Sequence, residues 1–442
     1  MKEMHSVSLA RGMRPRRAPR LAKLIAVTLT AGALAGLFDR PAAAAPPNVV
    51  LIISDDQAWT DYGFMGHDAI STPHLDRLAR QSALFPRGYV PSSLCRASLM
   101  SIITGLYPHQ HGVTGNDPPG GTDRREMLQH VRRSGTLPKM LAPLGYRSLQ
   151  TGKWWEGSHQ LGGFTHGMTH GDPARGGRHG DEGLTIGRGG LGPIFDFIAA
   201  SEGRPFFVWY APFLPHQPHN PPPKLLEKYA VDGRSPHVAR YYAMCEWFDQ
   251  TCGELLAYLD EHRLAKNTLV VYVTDNGWIQ DPDSRAFAPR SKRSPNEGGI
   301  RTPIMLRWPG VIEPATYDQL VSSIDLAPTI LAACGAEARG TLPGENHWPL
   351  VKDKQPLQRT AVFGEIFAHD VADIDQPAAS LQYRWCVDGP WKLILPTDGA
   401  AELYNLADDP HETSDLAAEQ LRHVRRLTEQ LDAWWTPGSA AD

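Results

Sequence analysis

The sequence predicts an α/β fold: a large, mixed, mostly parallel sheet flanked by helices, with a smaller α+β domain at the C-terminal end. Three observations predict it. Apolar runs rich in β-branched and aromatic residues alternate with stretches of helical period over roughly the first 350 residues. Those runs are apolar residue after residue, as strands covered on both faces are. After about residue 350 the texture changes to short strand-like runs separated by turns and closed by one helical stretch.

In chain order, the all-apolar run at 49–53 predicts the first strand, and the pattern over 73–84 a helix. A strand follows at 146–150, a helix around 194–200 and a strand at 206–209. A long helical pattern spans 238–262, and apolar runs at 269–273 and 304–308 give two more strands. Beyond residue 350, "TAVFGEI", "YRWCVDG" and "WKLILP" read as short strands, and 418–435 as a final helix. The Gly- and His-rich stretch 157–190 has no period and reads as a long loop of the kind that carries function. The expected organisation is a signal peptide at 1–45, a catalytic α/β domain at 46–350 and an α+β subdomain at 351–442.

The 442 residues carry a formal charge of -4, with 41% hydrophobic and 21% charged residues, the profile of a globular chain with a large core. No charge run is long enough to suggest nucleic acid as a partner. The basic "RPRRAPRLAK", the apolar stretch 24–38 and the small residues of "PAAAAPP" read as an export signal cleaved near Ala44. The mature chain is then expected in the periplasm or secreted, with no stable membrane span. An uncleaved anchor is the alternative reading of the same stretch. There are five cysteines. Cys245 and Cys252 share one predicted helix about 10 Å apart, too far for a disulfide. Cys334 and Cys386 fall on core-like positions, which leaves Cys95 unexplained by packing.

Two strand ends deliver paired oxygen donors. "NVVLIISDD" ends in Asp55 and Asp56, and "TLVVYVTDNGW" in Asp275 and Asn276. Open α/β sheets bind ligands at such ends. Taken singly, each pair reads as a helix cap or a turn. Together they make an oxygen cage suited to calcium or magnesium rather than zinc. Lys153, after a strand, and Lys292, before a Gly-Gly turn, suit a tetrahedral oxyanion such as sulfate or phosphate. His216, with His219 nearby in a proline-rich loop, can protonate a leaving oxygen.

With these residues in place, the chain resembles the sulfatase family of the alkaline phosphatase-like superfamily. The resemblance is carried by "NVVLIISDD", "YVPSSLCRASLMSIITGLYPHQHGV", "TGKWW", "APFLPHQPH", "VTDNGW", "EGGIRTPIMLRWPG" and "AELYNLADDPHETSDLA", and covers nearly the whole mature chain. In that family a cysteine or serine opening a Cys-x-(Pro/Ala)-Ser-Arg segment is oxidised to formylglycine, whose hydrate attacks sulfur. The resemblance implies that Cys95 is the formylglycine precursor, converted during maturation by a formylglycine-generating enzyme. It implies that Asp55, Asp56, Asp275 and Asn276 hold calcium, with magnesium as the alternative. Lys153 and Lys292 would bind sulfate oxygens, and His216 would protonate the leaving alcohol or assist turnover. Arg96, His111 and His219 are the expected substrate contacts, with His109 beside them.

Two positions depart from the family pattern. Leu99 stands where the family has arginine four places after the cysteine, and Arg96 lies about 100° away around a helix. Trp155 stands where the family has histidine two places after the lysine; His159, or a histidine of the Gly- and His-rich loop such as His166 or His170, is the candidate to replace it. The expected reaction is hydrolysis of a sulfate ester, on a carbohydrate given the tryptophans beside Lys153. The alternatives are a phosphodiesterase or phosphonate hydrolase of the same superfamily, and a catalytically impaired binder of sulfated glycans.

Overall fold

The computed structural model describes residues 46–171, 177–338 and 340–438; the expected export signal at 1–45, with its cleavage near Ala44, lies outside the described residues. A nine-stranded sheet runs through the centre. Its strands are β1 (Asn48–Ser54), β2 (Ala83–Tyr89), β3 (Arg147–Gly152), β4 (His166–Gly167), β5 (Phe206–Ala211), β6 (Thr268–Thr274), β7 (Arg301–Arg307), β8 (Ala315–Thr316) and β9 (Val321–Ser322). The spatial order is β4-β3-β5-β1-β6-β7-β2-β8, with β9 also beside β2. Strands β4, β3, β5, β1 and β6 are mutually parallel, while β7 is antiparallel to both of its neighbours.

The alternation of side chains along a strand splits the core in two. Val49, Leu51 and Ile53 of β1 join one apolar cluster with Trp209 and Val271. Val50 and Ile52 join another with Val208, Tyr210, Val270 and Tyr272. Both faces are therefore buried, which is why these strands read as unbroken apolar runs. The helix Pro236–Glu261 covers the second face with Met244, Phe248, Cys252, Leu255 and Leu259, the spacing of a single helical stripe. The helix Cys95–Thr104 is buried along its whole length and packs Leu99, Met100, Ile102 and Ile103 into the first cluster.

The structure adds four strands to the sequence reading of the large sheet: the two-residue β4, β8 and β9, of which β4 lies in the stretch 157–190 read as a loop, and the longer β2. The helix expected over 73–84 ends at Arg80, and Ala83–Tyr89 forms β2. Pro86 and Gly88 hid this strand, because both are poor strand residues outside irregular pairings. Here the pairing with β7 shifts register between Phe85 and Gly88. At Gly88 the β7 backbone comes so close that a Cβ would lie 2.4 Å from the Thr302 carbonyl oxygen.

The C-terminal residues form a four-stranded antiparallel sheet of β10 (Ala361–Phe367), β11 (Leu381–Asp388), β12 (Trp391–Pro396) and β13 (Glu402–Asn405). The helix Leu421–Trp434 covers one face, enclosing Cys386, Leu393, Leu403, Leu427 and Leu431. The other face turns Val362, Ile366 and Trp385 into the main core. All five cysteines are buried and unbridged. Among the described residues no helix is long and apolar enough to cross a membrane.

Candidate active site

Parallel strands end at the same edge, and that edge gathers the site. The tips of β1 and β6 are tied together: Asp275 N donates to the Ser54 carbonyl at 2.9 Å and Gln57 N to the Asn276 carbonyl at 3.2 Å. Lys153 leaves β3 with its N–H on the Ala211 carbonyl at 2.7 Å, at the end of β5. The loop after β5 returns to β1 through Asp55 N on the Leu214 carbonyl at 3.0 Å, which carries His216 to the same edge. Arg293 N donates to the Ser93 carbonyl at 3.0 Å, binding the Lys292 loop to the segment that ends in Cys95.

Asp56 is the hub. Its φ of 63° is left-handed, a conformation aspartate tolerates better than most residues. Its N–H donates to Asp275 Oδ1 at 3.0 Å, and its Oδ1 accepts Asn276 Nδ2 at 2.7 Å. Lys292 Nζ donates to Asp56 Oδ1 and Oδ2 at 2.6 and 2.7 Å, and lies 3.2 Å from Cys95 Sγ. His216 Nε2 is 3.4 Å from Asp56 Oδ2. Lys153 Nζ donates to Asp55 Oδ1 at 2.7 Å and stands 3.8 Å from Asp275 Oδ2.

Three buried oxygens of this cluster have no hydrogen-bond partner: Asp55 Oδ2, Asp275 Oδ2 and Asn276 Oδ1. Orphaned buried oxygens are costly, and three carboxylates against two lysines leave a negative excess. One ligand atom each from Asp55, Asp56, Cys95 and His216 lies within 4.8 Å of the others. The donor set therefore fits a hard divalent cation such as calcium or magnesium.

The electrostatics agree. Burial raises Asp55 well above the ordinary carboxylate range against the opposing pull of Lys153, and burial raises Asp275 in the same way. Burial also pushes on Asp56, but Lys292, His216 and Lys153 outweigh it and hold this carboxyl below its usual value. Burial drives the Cys95 thiol up to about 12, so the unmodified side chain is a thiol and not a nucleophilic thiolate at neutral pH. His216 lies well below the usual histidine value, through burial and then Lys153.

A cavity of about 360 Å³ opens over Cys95, Lys153, His216 and Lys292. His219 lines an adjoining cavity that shares His216 and Gln217 with it. The other expected substrate contacts are not brought into the reaction cavity. Arg96 is buried and turned to Glu156, donating through Nε and Nη2 at 2.6 and 2.8 Å, and to the Met127 carbonyl at 3.3 Å. His111 is buried between Ser101 Oγ at 3.1 Å and the Val113 N–H at 3.0 Å. His109 binds Glu365 and stacks on Trp435, its ring 4.5 Å away. Leu99 is core.

The histidine that stands beside Trp155 is His179, with ring centroids 5.0 Å apart. His159, His166 and His170 do not line the cavity: His159 bonds the Thr169 carbonyl, His166 bonds Arg147, and His170 reaches toward Glu182. His179 is pushed down to about 4 by burial and by Lys153 and Arg178, so it is neutral at physiological pH. Trp155 has the guanidinium carbons of Arg124 and Arg178 each 5.3 Å from its ring. Asn116, Trp278 and His369 complete the walls. The sequence signal for His179 was its place in the functional-looking loop; Asn116 and His369 carried none.

Comparison with known proteins gives consistent matches. Residues 47–336 match the family model described as Sulfatase, and residues 289–434 the one described as N-sulphoglucosamine sulphohydrolase, C-terminal. The chain is 28% identical to arylsulfatase A of Bos taurus, across 93% of this chain and 92% of that one. It is 30% identical to N-acetylgalactosamine-6-sulfatase of Canis lupus familiaris, across 66% of this chain and 62% of that protein. A solved structure of a protein in complex with its substrate D-glucosamine-2-N,6-O-disulfate shares the fold, with a TM-score of 0.70 over 88% of this chain and 97% of that one at 20% identity.

Proposed function

Since the chain belongs to the sulfatase family and is a sulfuric ester hydrolase, we propose that it cleaves a sulfate ester on a carbohydrate, using a formylglycine made from Cys95 and a calcium or magnesium ion. The observation that carries this reading is the set of three unpartnered buried oxygens beside Cys95, flanked by two lysines. Asp55, Asp56, Asp275 and Asn276 would hold the cation. When present, the hydrated aldehyde would supply the attacking oxygen and the cation would polarise the sulfate.

The chain's own residues do the rest. Lys153 and Lys292 are held charged, since Asp55 and Asp56 outweigh the opposing effect of burial. Their ammonium groups can each take a sulfate oxygen, fixing the ester over Cys95. His216 Nδ1 pairs with the Gln217 carbonyl at 2.6 Å, which leaves Nε2 as the atom that carries the transferred proton. Because its surroundings disfavour the protonated ring, Nε2 is bare at rest; it would take a proton from the attacking hydroxyl and pass it on to the departing alcohol oxygen. Trp155, Trp278 and Phe287 line the approach to the reacting atoms. Residues 24–38 support export of the mature chain to the periplasm or beyond, and a formylglycine-generating enzyme is the maturation partner this chemistry needs.

The test pairs two measurements on protein made with the maturation enzyme. Peptide mass spectrometry is expected to find residue 95 about 18 Da lighter than cysteine, the CH2–SH group having become an aldehyde with sulfur and two hydrogens lost and one oxygen gained. Sulfate release from an aryl sulfate and from sulfated sugars is expected alongside. An intact thiol with no sulfate released would overturn the reading.

A further inference from the structure

Next to the reaction cavity lies a second one, of about 580 Å³, within the usual range for a small-molecule site. The two share His216 and Gln217, so a chain-like substrate anchored at Cys95 can continue from one into the other. Neither lining contains a single carboxylate, although the whole chain has more acidic than basic residues, 48 against 44. The second cavity presents Arg240 and Arg285 together with His219 and His237. Among the described residues neither arginine has a carboxylate partner, and Arg240 makes one long bond of 3.4 Å to the Pro236 carbonyl. Other cations nearby are already committed: Arg178 pairs with Asp117, and Arg188 donates to the Phe213 and His216 carbonyls at 2.8 Å.

The walls are tied to one another. Gln217 Nε2 donates to the Arg285 carbonyl, and Ser235 Oγ, at the start of the long helix, donates to the Pro282 carbonyl. Arg188 fastens the 213–220 loop from the far side of the same wall. The backbone that carries the arginines is therefore set before a ligand arrives, while their two exposed side chains stay available to it.

We infer that this second cavity is a subsite for an anionic group, sulfate or carboxylate, on the sugar next to the one whose sulfate is removed. The preferred substrate is then an oligosaccharide with negative charge on neighbouring units, rather than a monosulfated small molecule. The inference rests on the carbohydrate sulfate reading above.

The test is calorimetric binding to the full chain carrying Cys95→Ala, with and without Arg240→Ala and Arg285→Ala together. The probes are a hexosamine 6-sulfate and three disaccharides that join it to a neutral hexose, a 6-sulfated hexose or a hexuronic acid. Charged neighbours are expected to tighten binding about tenfold or more over the neutral one, and the two charged probes tell sulfate from carboxylate. The double substitution is expected to erase that preference while leaving the monosaccharide affinity within about twofold. Equal binding of all three disaccharides, or a preference that survives the double substitution, overturns the subsite. Failure of the unsubstituted protein to release sulfate would instead count against the catalytic reading, since the binding comparison involves no turnover.

Discussion

Asp275 ties the two strand tips together and, in the proposed reading, also holds the cation. Its Oδ1 accepts the Asp56 and Asn276 N–H groups at 3.0 and 2.7 Å, which shapes both strand tips, while Oδ2 is left without a donor. Replacing Asp275 by Ala removes both functions. Aryl sulfate turnover is expected to fall below detection, and the calcium-dependent gain in thermal stability to shrink. At a calcium concentration about a hundred times its Kd the parent protein should gain about 2.7 kcal/mol, and the variant well under half of that. Unfolding scans with and without calcium measure it; an undiminished gain would separate Asp275 from the ion. Residues of this kind were legible in the sequence where they follow a long apolar run, Asp55 and Asp56 after β1 and Asp275 and Asn276 after β6, whereas Lys153 follows the mixed run RSLQTG of β3 and was marked by the "TGKWW" segment. Asn116 and His369 arrive from loops without a period, so nothing local marked them, and Arg178 and His179 were marked only by their place in the Gly- and His-rich stretch 157–190. Arg96 read as a cation near the reacting centre, but its direction depends on Glu156, sixty positions away, and spacing along one helix does not reveal such a partner.

The pairing of helices depends on a buried acid as well as on apolar stripes. Asp249, on the helix Pro236–Glu261, accepts the His74 and Leu75 N–H groups at 3.2 and 2.7 Å, capping the first turn of the helix Pro73–Arg80 from another element. Burial raises its pKa to about 7, with those two backbone donors opposing. The unfolded carboxyl ionises near 4, so between about pH 4 and 7 the folded state holds a proton that the unfolded state has lost. Stability from this group is therefore present at low pH and lost as pH rises through about 7. Asp249→Asn keeps the Leu75 bond and loses the His74 one, at a cost of about 1 kcal/mol. It should also flatten the decline of denaturation midpoints between pH 4 and 7; an unchanged slope would mean that another group titrates there. At this scale the sequence read the helix and strand order of the large sheet well wherever a run was long and uniform. It missed β2, where Pro86 and Gly88 interrupt the pattern at a register shift, and the short strands β4, β8, β9 and β13, of two to four residues each, which are too short to show a period.

In the whole molecule the small sheet braces the loop that carries Lys292. Residues 351–442 read as a subdomain with its own strands and closing helix, and the structure adds a buried ionic latch that no local pattern announces. Lys392 Nζ, on β12, lies 2.9 Å from Glu297 Oε1 and 2.8 Å from Glu412 Oε1. Glu412 Oε2 accepts the Glu297 N–H at 2.8 Å, and Tyr89 OH donates to Glu297 Oε2 at 3.1 Å. Glu297 begins the short turn that leads into β7, in the same "SKRSPNEGG" stretch as Lys292. Lys392→Met would leave two carboxylates buried together with their shared cation gone. Arg301 Nη1, 3.5 Å from Glu297 Oε2, stays as a partner of Glu297, but Glu412 loses its cation, and breaking a buried pair in this way costs about 3 kcal/mol. The expected result is a lower urea midpoint together with reduced kcat/KM, the loss falling mainly on KM as the Lys292 ammonium is less firmly placed over the sulfate. If the variant lost stability but kept kcat/KM at a temperature where it is fully folded, the latch would join the two sheets without positioning the reaction cavity. Loss of both would mean that the C-terminal sheet takes part in building the site.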